Sequence, residues 1–301
     1  MAEPKGSLRV VLAALAGNFA IAAVKFVTYA FTGSTSILTE GIHSLVDTGD
    51  QLLLLLGQAR AKRPADDSHP FGYGMETYFW SFIVALMIFL VGGAVSVWEG
   101  AEKLVHPSPM RLPWVSLGVV AASAMFEGLS FRVAYREFRR MVRGRDVRVL
   151  TFVKASKDPN LFATLLEDGA ALTGLAFAAL GVMGAGLFGW RWADGAASIA
   201  IGVLLLSVAV FLANETRSLI AGEAAADPIV EIVRRAADGC GDLGRLKSLK
   251  TLHLGPHSIL VAIGWVFPED WDRARTDSAR GRLVQRIRAA DARISDVLFQ
   301  A

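Results

Sequence analysis

Four side chains able to bind or exchange ions, Glu40, His43, Asp47 and Asp50, stand three, four and three residues apart in the run Glu40-Gly-Ile-His-Ser-Leu-Val-Asp-Thr-Gly-Asp50. On a helix that spacing makes one continuous stripe. An imidazole four residues from a carboxylate is also a metal-ligand pairing on one helix face. The flanks Ser36-Ile-Leu-Thr and Leu52-Leu-Leu-Leu-Leu are apolar, and with the stripe they are long enough to cross a bilayer. Ionisable groups at such depth are costly and usually line a substrate path or pair with one another. The chemistry implied is the passage of an ion.

A second set of oxygen donors lies in Thr164-Leu-Leu-Glu167-Asp168-Gly-Ala-Ala-Leu, on a span that starts at Asp158-Pro159-Asn160, with Asp placed to cap and Pro at the first helical position. At about 1.5 Å per residue, Asp168 lies roughly 12–14 Å from the cytoplasmic start of that span. Asp47 lies about 12 Å from the inner face of a ~30 Å core. The two carboxylates therefore share a depth, and His43, Asp47 and Asp168 are predicted to form a three- or four-ligand cage. Glu167 points about 100° away from Asp168 on the helical wheel.

These residues need helices to carry them. With 53% hydrophobic and 20% charged residues in 301, the chain is too apolar for most soluble proteins of its length, and the apolar residues come in blocks. Six spans are predicted, roughly Leu8–Thr32, Ser36–Gly57, Tyr78–Trp98, Pro113–Val133, Leu161–Gly189 and Ala193–Ala213. The first reads as a retained helix rather than a cleaved signal, because it carries Asn18 and Lys25 and has no small-residue cleavage site. Basic residues cluster at Arg136–Arg148, Lys154 and Lys157, and again at Arg60, Lys62 and Arg63; the other side offers only Lys103, Arg111 and Arg191. The positive-inside rule then puts both termini in the cytoplasm, and the basic segment is a topology signal between two spans rather than a nucleic-acid patch. The expectation is a multi-pass protein of a bacterial-type cytoplasmic membrane.

After about Glu215 the pattern changes. An amphipathic helix is predicted from Asp227, with Asp as its N-cap and Gly239 past its end. Strands Leu246–Leu254 and Ile259–Phe267, a helix Ala274–Arg293 and a strand Ser295–Gln300 follow. The fold class is thus an all-α six-helix membrane domain, residues 1–215, with a small α-β-β-α-β, ferredoxin-like α+β domain, residues 216–301. No phosphate-binding glycine loop and no His-Glu-x-x-His appears, so neither a nucleotide site nor an intramembrane metallohydrolase is indicated. The chain is not read as an enzyme, and no resident cofactor is required. The single Cys240 excludes an internal disulfide framework and a Cys-rich zinc site.

Several stretches together resemble a known family, the cation diffusion facilitators. They are Gly17-Asn-Phe-Ala-Ile-Ala-Ala-Val-Lys25, the run from Thr32 to Gln51, Pro64-Ala-Asp-Asp-Ser-His-Pro-Phe-Gly-Tyr-Gly74 and Asp194-Gly-Ala-Ala-Ser-Ile-Ala-Ile-Gly. The Leu-Leu-Glu-Asp run in the fifth span resembles one branch of that family. The resemblance implies a homodimeric exporter of divalent metal, usually zinc, driven by inward proton movement. Its His-x-x-x-Asp ligand pattern falls on His43 and Asp47 in span 2, whereas span 5 has Thr164 in place of a second His, so that Glu167, Thr164 or water supplies the fourth position and the one imidazole among oxygens admits manganese, iron or cobalt beside zinc. Its second metal site falls on Asp66 and His69, with Tyr73 where a third ligand is common. The rival class is a non-transporting metal sensor or scaffold acting through the tail, which Cys240, His253 and His257 support poorly.

Around the main stripe, Glu40 is expected to pair with Lys25 of span 1, since a buried lysine needs a counter-charge. Asn18 is read as a helix–helix hydrogen bond. Asp50 is either a supporting carboxylate at the cytoplasmic mouth or a solvated interfacial group. Glu127 is either a proton carrier or a packing partner for Arg132.

Overall fold

The computed structural model describes residues 6–107, 110–141, 157 and 159–300. Most of the basic segment 136–157 and the capping residue Asp158 lie outside the described residues. One compact unit draws on residues 1–56, 80–148 and 160–214, and a second on 57–79, 149–159 and 215–301.

The long helices are α1 (Gly6–Thr32), α2 (Thr35–Ala61), α3 (Glu76–Met87) continuing through a π-helical turn (Ile88–Ala94) into α4 (Val95–Val105), α5 (Pro113–Met141), α6 (Pro159–Gly186) and α7 (Ala193–Gly222). They form a helical membrane domain. Leu15–Thr32, Glu76–Val105, Pro113–Arg140, Phe162–Gly186 and a stretch beginning at Ala193 are each long and apolar enough to cross a membrane. Helix α2 is not among these five. At 27 residues it is long enough, about 40 Å of helix, but its own polar stripe lowers its hydropathy.

Helix α1 ends where Gly33 takes φ +66° and its N–H reaches back to Tyr29 O at 2.7 Å, a left-handed cap that suits glycine. The next helix then starts on a borrowed cap. Asp194, at the beginning of α7, accepts hydrogen bonds from Thr35 N at 2.6 Å, Ser36 N at 3.2 Å, Ser34 Oγ at 2.7 Å and Ser36 Oγ at 2.5 Å. A buried carboxylate on the free N–H groups of a helix start is favourable both as a cap and against the helix dipole. One turn along α7, Ser198 Oγ shares a hydrogen bond with Thr39 Oγ1 at 2.5 Å and donates to Ser96 O at 3.0 Å. Helices α4 and α7 approach until a Cβ on Gly202 would sit 2.8 Å from Val97 N, and one on Gly100 would sit 2.7 Å from Gly195 O. Small residues permit such contact in a membrane, where packing rather than water drives helix association.

The second unit contains a small domain built in the order α8 (Asp227–Asp238), β1 (Arg245–Gly255), β2 (Ser258–Val266), α9 (Arg273–Ala290) and β3 (Ile294–Gln300). The sheet order is β1-β2-β3, antiparallel between the first two and parallel between the last two. Ile259, Val261 and Ile263 alternate onto one face of β2, and all are fully buried. Against them α8 sets Ile229, Val233 and Ala237, and α9 sets Ala279, Leu283 and Ile287, each at i, i+4 and i+8. Asp272 caps α9 by accepting from Arg275 N at 2.7 Å. The start of α8 differs from expectation. Ala226 is its N-cap and Asp227 the first helical residue, so the carboxylate serves the helix dipole instead of capping by hydrogen bond. Gly239 ends that helix in the right-handed region, at φ −66°.

Candidate functional site

Helices α1, α2, α5 and α6 enclose a cavity of about 290 Å³. Its polar lining is Asn18 from α1, Asp47 and Gln51 from α2, Glu127 and Ser130 from α5, and Thr164, Glu167 and Asp168 from α6. Asp47 and Asp168, placed at one depth by counting helical rise, do face one space. His43 stands beside that wall, not on it: its ring is 2% exposed, and Nδ1 lies 3.4 Å from Asp47 Oδ1. Asp47 is also within electrostatic reach of Glu127, Lys25, Asp168 and Glu40.

The stripe on α2 is distinguished by what it lacks. Glu40 Oε1, both ring nitrogens of His43, Asp47 Oδ1, both oxygens of Asp50 and, across the cavity, Glu167 Oε1 are buried without a hydrogen-bond partner. Each such group costs about 1–3 kcal/mol of desolvation that no bond repays. Groups that costly persist where they are needed for something other than packing.

Four of the expected features have a defined geometry. His43, Asp47 and Asp168 face or flank one cavity without converging: among the described residues no three His, Cys, Asp or Glu side chains stand close enough together to hold a metal ion. Asp168 instead accepts a hydrogen bond from Ser130 Oγ at 2.9 Å, because facing carboxylates repel and a neutral hydroxyl is the better neighbour. Glu167 is one of the oxygen donors expected for the site. It lines the same cavity as Asp168, since two residues 100° apart can flank a space wider than one side chain. Asp50 is not an interfacial solvated group, being fully buried by the packing around α2.

The fourth feature is the loop pair Asp66 and His69. Asp66 accepts from Tyr73 OH at 2.6 Å and from the backbone N–H groups of Ser68 at 3.0 Å and His69 at 2.8 Å. These bonds hold its carboxyl below the usual range, the tyrosine hydroxyl contributing most. His69 stacks on Tyr73 at 4.0 Å and is half exposed, as is Asp66. The pair shapes a turn.

Lys25 and Glu40 pair as their chemistry demands. Lys25 Nζ donates to Glu40 Oε2 at 3.1 Å, to Ser44 Oγ at 2.8 Å and to Glu40 O at 3.3 Å, with both side chains fully buried. In the second unit the three tail ligand candidates go separate ways. Cys240 is in the core with Sγ against Ala236 O, His253 is buried with Nδ1 3.3 Å from Gly255 O, and His257 is exposed. Sequence reasoning missed Ser130 and Gln51 as lining residues and Asp194 as the cap of α2. The first two sit on the helix faces that also carry Glu127 and Asp47, at i+3 and i+4, which is the signal that could have found them.

Residues 11–221 match the model of the cation efflux transmembrane domain. Among curated proteins, the human proton-coupled zinc antiporter SLC30A9, mitochondrial, is 31% identical over 251 residues, covering 83% of this chain and 44% of that protein. Metal tolerance protein C4 of Arabidopsis thaliana is 31% identical over 252 residues, covering 84% and 55%. The cation-efflux pump FieF of Salmonella agona is 28% identical over 210 residues, covering 69% and 63%. The chain spans about half the length of the first of these relatives.

Proposed function

The chain belongs to the cation efflux family, and from that premise we propose that it exports a divalent cation, zinc first, from the cytoplasm by alternating access, in exchange for protons. One observation carries the reading. Asp47 of α2 and Glu167 and Asp168 of α6 line a single cavity inside membrane-spanning helices, with His43 beside Asp47. The cavity has room for a partly hydrated cation.

Cation binding requires deprotonated carboxylates and a neutral imidazole, so protons and cargo compete for the same atoms. Open to the cytoplasm, Asp47 and Asp168 take the cation, with Asp168 giving up its bond to Ser130 and His43 completing the set from behind Asp47. Open outward, protons displace the cation and return with the carrier. Thr164 and Glu167 are the remaining oxygen donors, while the Lys25–Glu40 pair keeps the outer part of the stripe neutral. Manganese, iron and cobalt are alternative cargoes. The orientation proposed has both termini in the cytoplasm of a bacterial-type inner membrane. Residues 1–215 carry transport, and residues 216–301 hold two copies together.

Reconstituted vesicles test this directly. Zinc loaded on the face equivalent to the cytoplasm should move uphill when a proton gradient is imposed, with at least one proton displaced per ion. Uphill movement that persists with the proton gradient collapsed would contradict the coupling, and no cation flux under any gradient would sink the transport reading.

A further inference from the structure

We infer that Glu127 of α5 is a cargo-binding carboxylate, and that it tilts the cavity toward divalent cations that prefer oxygen ligands, such as manganese. The inference rests on the transport reading of that cavity. Between Pro113 and Phe131, Glu127 is the only ionisable residue of α5. A lone carboxylate about 21 Å along a membrane helix is expensive and calls for a partner. Among the described residues Glu127 makes no hydrogen bond or ion pair, and it lines the cavity across from Asp47. The charged or titratable groups within electrostatic reach of it are Lys25, His43, Asp47 and Asp168. Lys25 is already committed to Glu40 and Ser44. What remains for Glu127 is the cavity itself.

The same face of α5 acts a second time. Ser130, three residues on, donates to Asp168 Oδ2 at 2.9 Å and so orients the carboxylate opposite. One helix thus supplies both an open acid and the hydroxyl that positions another. An independent observation points to a ligand here: Asp47 Oδ1 and Glu167 Oε1, both of residues that line the cavity, are buried without a hydrogen-bond partner.

The donors on the cavity wall are carboxylates, side-chain amides and hydroxyls, and the one imidazole stands behind them. Zinc gains much of its affinity from nitrogen and sulfur ligands, whereas manganese depends on the number of oxygens. Removing one carboxylate therefore costs manganese more than zinc.

The test uses the full chain in lipid nanodiscs, titrated separately with Mn2+ and Zn2+ by calorimetry, as wild type, Glu127→Gln and Glu127→Asp. Glu127→Gln is expected to lower Mn2+ affinity by about tenfold more than Zn2+ affinity. Glu127→Asp keeps the charge on a shorter arm and should shift the ratio in the same direction by less; it carries the test if the glutamine variant does not fold. An unchanged ratio of the two affinities in these variants overturns the assignment while leaving transport intact. A wild-type protein that binds neither cation removes the transport reading, and this inference with it.

Discussion

The helical domain and the small sheet domain bury side chains on opposite terms. In the sheet domain the core is Ile, Val, Leu and Ala on regular helix and strand stripes, and its polar ends are answered but for His253 Nε2: Trp265 Nε1 donates to Leu243 O at 3.1 Å, and Arg293 grips Asp291 at 2.7 and 2.9 Å. In the helical domain two kinds of buried polar group stand out. Asp194, Lys25, Ser96 and Ser198 have partners and tie helices together. His43, Asp47 and Asp50 have unanswered atoms and follow one face of α2. The contrast separates groups that hold the fold from groups held for use, by asking whether each is satisfied.

The largest expected effect strikes the unsatisfied kind. Asp47→Ala and Asp168→Ala should each reduce cation flux in vesicles to the background of protein-free vesicles, while size-exclusion profiles and thermal midpoints stay at wild-type values. Flux at the wild-type rate in either variant would erase the distinction. Glu167→Ala should also impair flux, because Glu167 lines the cavity; a wild-type rate would return it to the structural side.

Next come substitutions in the two satisfied sets. Leu283→Ala in α9 removes a fully buried side chain and should destabilise the sheet domain by about 2–5 kcal/mol, read as a shifted unfolding transition, with the affinity of the cavity for cation unchanged. Asp194→Ala strips the cap from α2 and leaves its buried donors unpaired. It should cost about 3 kcal/mol in the helical domain, with Asp194→Asn costing less. Loss of cation binding at an unaltered thermal midpoint would place Asp194 among the functional groups and blur the comparison.

The smallest effect is a pH dependence in the sheet domain's unit. Burial pushes the His253 imidazole below its ordinary value of 6.5, and Lys157 and Arg293 add to the shift against the opposing pull of Gly255 O and Glu223. The folded ring is therefore neutral where the unfolded ring takes a proton. Stability should fall as pH drops below about 6.5 and hold steady above it. His253→Gln should flatten that part of the profile; an equally steep loss in the variant would assign it to other groups.

Much of this was legible in the chain because helical and strand periods are local. The α2 stripe, the shared depth of Asp47 and Asp168, and the order of helices and strands after Asp227 all follow from spacing alone. What spacing could not supply was distant pairing. Asp194 caps a helix 158 to 160 residues earlier, and no window around either segment signals the other. Wheel angles alone left the place of Glu167 open, because they say nothing of how wide the facing gap is. A count of depth left two readings of Asp50 open, because burial depends on which helices surround α2. The one-residue error at Ala226 reflects two acceptable starts, with Asp227 as cap or as first helical residue.

The cap on α2 also bears on how the chain is made. Helix α2 is the long helix too polar to cross a membrane on apolarity alone, and each charge at the centre of a span costs about 3 kcal/mol at insertion. Lys25 is already present when Glu40 emerges and can neutralise it at once. Asp194 is not. At ribosomal rates of about 5–20 residues per second, it leaves the ribosome roughly 8 to 32 seconds after the segment it caps. For that interval the start of α2 has no final anchor, so its seating in the bilayer is completed only after α7 arrives, and a chain interrupted before Asp194 carries an unanchored second helix.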